Sequence, residues 1–258
     1  MGPWNHPRNP LTRRRLLTLT GVAAAGAVLS SCSSATPTTT APATTPAMSP
    51  TAAGAPPTSD VPDSPTPDQA LALLKEGNAR FAAAQSQPIN ESVGRRAEVA
   101  TGQSPFATIV SCVDSRVPPE LVFDHGLGDL FVVRSAGQVL DKAIVGSVEY
   151  GMDHLHVPLI VVAGHSACGA VTAAVEAAGS GGHAPGDIAY LVEEITPAVE
   201  AVKGQGGDTV SLAIAEQARS VARELSENTI IAKAIADGKV KVVSAVYDLN
   251  SGKVDFHS

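Results

Sequence analysis

Two apolar runs that each end in soft, metal-binding side chains constrain this chain more than anything else in it. Phe106-Ala107-Thr108-Ile109-Val110 leads into Ser111-Cys112-Val113-Asp114-Ser115-Arg116. Val157-Pro158-Leu159-Ile160-Val161-Val162-Ala163 leads into Gly164-His165-Ser166-Ala167-Cys168-Gly169. Both runs are short and continuously apolar, the pattern of a strand covered on both faces. Lying parallel, they would deliver Cys112, His165 and Cys168 to the carboxyl edge of one sheet, where ligands of open α/β sheets sit. Thiolate, imidazole and thiolate suit zinc in softness and charge. His165 and Cys168 are three apart across a turn, so both can face one ion, while Cys112 arrives from the other strand. A structural zinc site normally closes with a fourth Cys or His. Here the fourth position is open, with Asp114 two residues from Cys112 and Arg116 two beyond that. The alternative is a Cys112–Cys168 disulfide, attractive outside the cell. It leaves His165, Asp114 and Arg116 without a role.

The rest of the chain alternates strands with helices, which predicts a mainly parallel central sheet covered by helices on both faces, with an N-terminal helical arm. Thr66 reads as an N-cap, Pro67 as the first helical residue, and Ala70, Leu71, Leu73, Leu74, Asn78 and Phe81 as one helix face. Further helices are expected near 91–101, 121–123, 141–155, 168–178, 188–202 and 211–235, with Pro197 a kink or break. Strands are expected at 106–111, 130–134, 157–163 and 241–247, with a short edge segment at 253–256. Hydrophobic residues make up 44% of the 258, but aromatics only 3%, so the core must come from Ala, Val, Ile and Leu.

The N-terminus reads as an address. Arg13-Arg14-Arg15 precedes an uncharged run from Leu16 to Leu29, short for a membrane span and suited to a signal peptide of twin-arginine type. Leu29-Ser30-Ser31-Cys32 resembles a bacterial lipobox, with Cys32 the lipidated residue; a plain signal peptide cut near Ser31 is the alternative. Residues 33–65 are Thr, Pro, Ala and Ser with almost no large apolar side chain, a composition that predicts a disordered tether. The expected organisation is an export signal at 1–32, the tether at 33–65 and a zinc-dependent domain at 66–258. The expected location is extracytoplasmic, on a lipoprotein anchored to a bacterial cell membrane. Four of the 18 basic residues and none of the 25 acidic ones precede Ser33, so a formal charge of −7 becomes −11 beyond it. An acidic body argues against nucleic-acid binding, which needs a basic stripe.

The motif Cys112-x-Asp114-x-Arg116, followed some fifty residues later by Gly164-His165-x-x-Cys168-Gly169, resembles the β-class carbonic anhydrases. Leu74-Lys75-Glu76-Gly77-Asn78-Ala79-Arg80-Phe81, Gly128-Asp129-Leu130-Phe131-Val132-Val133-Arg134 and Val246-Tyr247-Asp248 carry the likeness across roughly residues 66 to 257. The resemblance implies reversible hydration of carbon dioxide to bicarbonate and a proton by zinc-bound hydroxide. It implies zinc on Cys112, His165 and Cys168, and Asp114 and Arg116 as a catalytic dyad. In a closed state Asp114 becomes a fourth ligand, which predicts low activity near neutral pH that rises toward alkaline pH. By position in the motifs, Ala136, Gly137 and Gly169 would line a small apolar substrate pocket. A homodimer or higher even oligomer is implied, with the N-terminal helix reaching across the interface. Many relatives carry Gln where this chain has His125, whose role is open between a polar replacement, a proton carrier and a solvated loop residue. Two other readings keep the same residues. One is a non-catalytic, zinc-stabilised extracellular binding module; the other is the same fold acting on carbonyl sulfide or carbon disulfide.

Overall fold

A computed structural model describes residues 61–62 and 64–257. The export signal, Cys32 and all but the last few residues of the tether lie outside the described residues. Helix α1 spans Pro67–Ala82. Thr66 caps it as the sequence predicts: its hydroxyl accepts from the Gln69 amide while the Gln69 side chain accepts from the Thr66 N–H, a reciprocal capping box. The helix then packs on its own domain, burying Ala70 and Leu74 completely. Gly77 sits mid-helix because a Cβ there would collide with the Phe123 carbonyl. Buried Asn78 donates to the carbonyls of Val122 (3.0 Å) and Gly252 (2.9 Å) and accepts from the Val254 N–H (2.8 Å), joining the arm to segments far apart in sequence.

Helix α2 (Val93–Glu98) and a 3₁₀ turn (Val99–Thr101) lead to β1 (Ala107–Ser111), α3 (Pro119–Val122), β2 (Leu130–Arg134) and a 3₁₀ turn (Ala136–Gln138). Then come α4 (Lys142–Glu149), which runs on into a π-helical turn (Tyr150–His154), β3 (Leu159–His165), α5 (Gly169–Ser180) and α6 (Ile188–Ala201). The chain ends with α7 (Thr209–Glu227), α8 (Thr229–Ala236), β4 (Lys241–Tyr247) and β5 (Val254–His257).

The sheet order is β2-β1-β3-β4-β5, parallel except for antiparallel β5. Side chains alternate between its faces. Ile109, Val161, Val243 and Ala245 share one cluster with Ala70, Leu74, Phe106 and Phe123 under α1 and α3. Val110, Ile160 and Val162 face Val148, Val221, Leu225 and Ile231 of α4, α7 and α8. The α/β sheet expected from the sequence is thus present, covered on both faces.

Three expectations need correction. Pairing in β3 begins at Leu159 and runs through His165, because that stretch stays in register with Lys241 through Tyr247. The helix expected over 211–235 is two: the side chain of Asn228 accepts from the N–H groups of Ile230 and Ile231, ending α7 and capping α8. Pro197 does not break α6, whose neighbouring Ile195, Ala198 and Val199 are buried and hold the turn in place.

Candidate metal centre

The strand order reverses direction between β1 and β3: from β1 the next strand lies to one side, from β3 to the other. Such a switch point opens a crevice at the carboxyl edge. Ser111, the last residue of β1, pairs with Ala163 of β3. Cys112 therefore leaves β1 beside the final residues of β3, and His165 is the last of them.

Cys112, His165 and Cys168 are all buried, and their ligand atoms lie within 4.8 Å of one another. Both cysteines are free thiols with Sγ atoms 4.0 Å apart, so the disulfide alternative is not formed. Two sulfurs at tetrahedral zinc, each about 2.3 Å from the metal, would be about 3.8 Å apart, close to the separation here. His165 Nδ1 lies 3.0 Å from the Ser166 carbonyl, which fixes the proton on Nδ1. That leaves the Nε2 lone pair buried and without a hydrogen-bond partner. An unclaimed imidazole nitrogen beside two close thiols is the donor set that zinc takes, so the three residues fit the metal.

The thiols share their protons unequally. Cys112 is held well below the ordinary thiol range, first by the hydrogen bond from Cys168, against the opposing effect of burial, with His165 helping. Cys168 is pushed up, first by that same hydrogen bond and then by burial. Two thiols this close disfavour losing both protons, a cost that a dication held between them would remove.

Asp114 and Arg116 form a bidentate pair. Oδ1 accepts from Arg116 Nε (2.9 Å) and from the Arg116 N–H (2.9 Å), and Oδ2 accepts from Nη2 (2.7 Å). This guanidinium holds the Asp114 carboxyl well below the usual carboxylate range, against a smaller desolvation effect. Arg116 Nη2 also reaches the Ala167 carbonyl (3.2 Å), tying the first ligand loop to the second. Asp114 Oδ2 lies 4.0 Å from His165 Nε2, so the carboxylate stands at the rim of the cluster while engaged with arginine.

The small residues fall into different settings. Gly137 is buried with φ 64, and its N–H points at Cys112 Sγ (3.5 Å). The left-handed conformation favours glycine, and a Cβ there would meet Ile195 Cδ1 at 2.6 Å, so Ile195 would have to shift. Gly169 opens α5 directly after Cys168, and a Cβ on it would meet nothing within 4 Å. Ala136 begins the intervening turn, half-buried.

His125 is not a solvated loop residue. It is buried against the Phe106 ring (centroids 4.8 Å apart, edge-on), with Nδ1 3.6 Å from Asp129 and no hydrogen bond at either nitrogen. Sequence reasoning also missed Arg134 and Gln138, whose side chains hold the backbone of the first ligand loop. Their only signal is position: Arg134 is the last residue of the strand paired with β1, and Gln138 ends the turn after it.

Among known proteins, the family model described as carbonic anhydrase matches residues 107–254. Carbonic anhydrase 2 of Mycobacterium tuberculosis is 43% identical over 188 residues, covering 72% of this chain and 91% of that one. A carbonic anhydrase of Mycolicibacterium smegmatis is 40% identical over 193 residues, covering 74% and 94%. Of solved structures, a tetrameric β-carbonic anhydrase of Sordaria macrospora superposes with a TM-score of 0.58 at 24% identity, covering 70% of this chain and 93% of its own. The Coccomyxa β-carbonic anhydrase solved with acetazolamide gives 0.56 at 24% identity, covering 72% and 85%.

Proposed function

This chain belongs to the β-class carbonic anhydrases, and on that premise we propose a division of labour among its site residues. The reaction is the reversible hydration of carbon dioxide to bicarbonate and a proton, and the cofactor is zinc. One observation carries the assignment to these side chains: the buried cluster of Cys112, His165 and Cys168 with the His165 Nε2 lone pair unclaimed. These three residues would hold zinc, which supplies a Lewis acid that lowers the pKa of water at the site.

Asp114 accepts a hydrogen bond from the attacking water and fixes its orientation toward carbon dioxide. It can do this only as a carboxylate, and the bidentate contact to Arg116 keeps it ionised and aimed. Arg116 also holds the turn carrying His165 and Cys168 in place through the Ala167 carbonyl. Gly169, with open space at its Cα, would give a small uncharged substrate room beside Cys168; half-buried Ala136 is a second candidate, whereas Gly137 packs against Ile195 instead. With Asp114 committed to Arg116, the carboxylate is available to water rather than to the metal. The test is stopped-flow carbon dioxide hydration by the purified protein, with zinc content measured on the same sample. A zinc-replete, folded protein that leaves the uncatalysed rate unchanged would overturn the reading.

The N-terminal reading is a separate proposal: Tat-type export, acylation of Cys32 and a membrane-anchored domain. Its support is the order of arginines, uncharged run, lipobox-like Leu29–Cys32 and Thr/Pro/Ala/Ser tract. Among the described residues, no helix is long and apolar enough to cross a membrane. Incorporation of labelled fatty acid that is lost in Cys32→Ala is the expected result. Self-association into an even oligomer is proposed from the exposed apolar side chains of Val113, within the first ligand loop, and Leu121, in the helix that follows it. Light scattering on the purified protein checks it.

A further inference from the structure

We infer that Arg134, at the end of β2, is a positioning residue for the metal centre: it sets where Cys112 and Asp114 stand relative to each other. Its Nε donates to the Cys112 carbonyl (2.8 Å), and its Nη2 donates to the carbonyls of Asp114 (2.8 Å) and Val117 (3.1 Å). One rigid, planar guanidinium thus spans three main-chain acceptors of a single loop. Among the described residues, Arg134 makes no ion pair with a carboxylate, so its donors are committed to this backbone.

The neighbouring turn completes the grip. Gln138 is buried, and its amide, oriented to satisfy both of its ends, accepts from the Cys112 N–H (3.1 Å) and donates to the Gly137 carbonyl (3.2 Å). The Gly137 N–H faces Cys112 Sγ (3.5 Å), and Gln217 of α7 donates to the Gly137 carbonyl (3.2 Å). Residues 134–138 therefore reach the carbonyl, the N–H and the sulfur of the one ligand that comes from β1. Without Arg134 the loop loses three charge-assisted bonds at once, and two of them bracket the ligand and the dyad carboxylate. The effect travels through the backbone, so Arg134 need touch neither metal nor substrate. Lysine cannot reproduce it, because an ammonium lacks the planar fork that bridges separated carbonyls.

The inference rests on the carbonic anhydrase reading for its kinetic arm and on the zinc cluster alone for its metal arm. The experiment compares Arg134→Met and Arg134→Lys with the parent full-length protein. Zinc affinity is measured by chelator competition, turnover by stopped flow, and the visible spectrum after cobalt(II) replacement. Outer-shell partners of metal ligands typically cost about 10–100-fold in metal affinity or activity when removed. Arg134→Met is expected to lie in that range for zinc affinity, with kcat falling, KM little changed and the cobalt bands shifted. Arg134→Lys should recover part of the loss. Val133→Ala, a core truncation one residue away, serves as a stability control, since it destabilises β2 without touching the ligand loop. Should Arg134→Met fail to fold, Arg134→Lys carries the same comparison. Zinc affinity and kcat within twofold of the parent, in a folded arginine variant, would falsify the inference. So would an equal loss of zinc affinity in Val133→Ala at matched melting temperature. A parent that binds zinc tightly but does not hydrate carbon dioxide would sink the enzymatic reading and leave the metal arm standing.

Discussion

The two loops that build the metal centre are held by different means. The turn after β3 is an extension of regular structure. His165 pairs with Tyr247, the Ser166 N–H donates to the Tyr247 carbonyl (2.8 Å), the Ser166 hydroxyl accepts from the Leu249 N–H (2.9 Å), and Cys168 immediately precedes α5. The loop after β1 has no such continuation. Cys112 through Val117 is irregular, with Val113, Ser115 and Arg116 exposed, and is held by side chains from Arg134, Gln138 and its own Arg116. Two ligands thus come from a rigid corner of the sheet, and one ligand plus the dyad carboxylate from a strapped loop. The rigid part defines where the ion sits, and the strapped part sets what stands next to it.

The comparison breaks or sharpens at particular residues. Cys168→Ser removes a ligand from the rigid corner. It is expected to abolish zinc binding at stoichiometric metal and carbon dioxide hydration with it, read by metal analysis and stopped flow. Asp114→Asn alters the strapped loop while leaving all three metal ligands. Zinc should stay bound and kcat should fall by about 10²–10⁴-fold, the range for losing a positioned proton-accepting group. If zinc leaves as well, the two loops are not separable. Gly137→Ala forces a side chain into a left-handed conformation and against Ile195. A loss of about 1–3 kcal/mol in stability is expected by denaturant unfolding, with weaker zinc binding because the Gly137 N–H moves away from Cys112. Ser166→Ala tests the rigid corner from the other side. It removes the hydroxyl's bond to the Leu249 N–H and its interaction with Asp248, and should cost about 1 kcal/mol with turnover nearly unchanged, since strand pairing still holds His165.

The rigid corner was also the easier one to read in the sequence. Apolar run, Gly-His-x-x-Cys-Gly and a following stretch of small residues specify strand, turn and helix in one continuous segment. The end of β3 was less legible, because Gly164 and His165 are poor strand residues taken into the sheet by register with Val246 and Tyr247. The break at Asn228 was hidden because apolar spacing continues on both sides of it, and only the carboxamide bonds to Ile230 and Ile231 reveal a cap. The straps on Cys112 were beyond reach for a different reason. Spacing along a strand says which face a side chain takes, but not which backbone it meets across the sheet, and Arg134 acts on residues some twenty positions away. The solvated-loop option for His125 arises because Asp124, Gly126 and Gly128 around it resemble a surface turn, whereas Phe106 and Asp129 enclose it.

Helix α1 begins at the opposite end of the sheet from the ligand cluster. Asp68, in its first turn, meets Lys241 at the start of β4 (2.9 Å), while His165 and Cys112 stand where the parallel strands finish. A force applied through the residues before Thr66 therefore enters at the rear of the domain. The first elements to carry it are the capping box at Thr66 and the seat of Ala70 and Leu74, then the Asn78 clasp. Ala70 and Leu74 pack directly on Ile109 and Val161 of the ligand-bearing strands. An attachment through this end would leave the metal centre facing away from it.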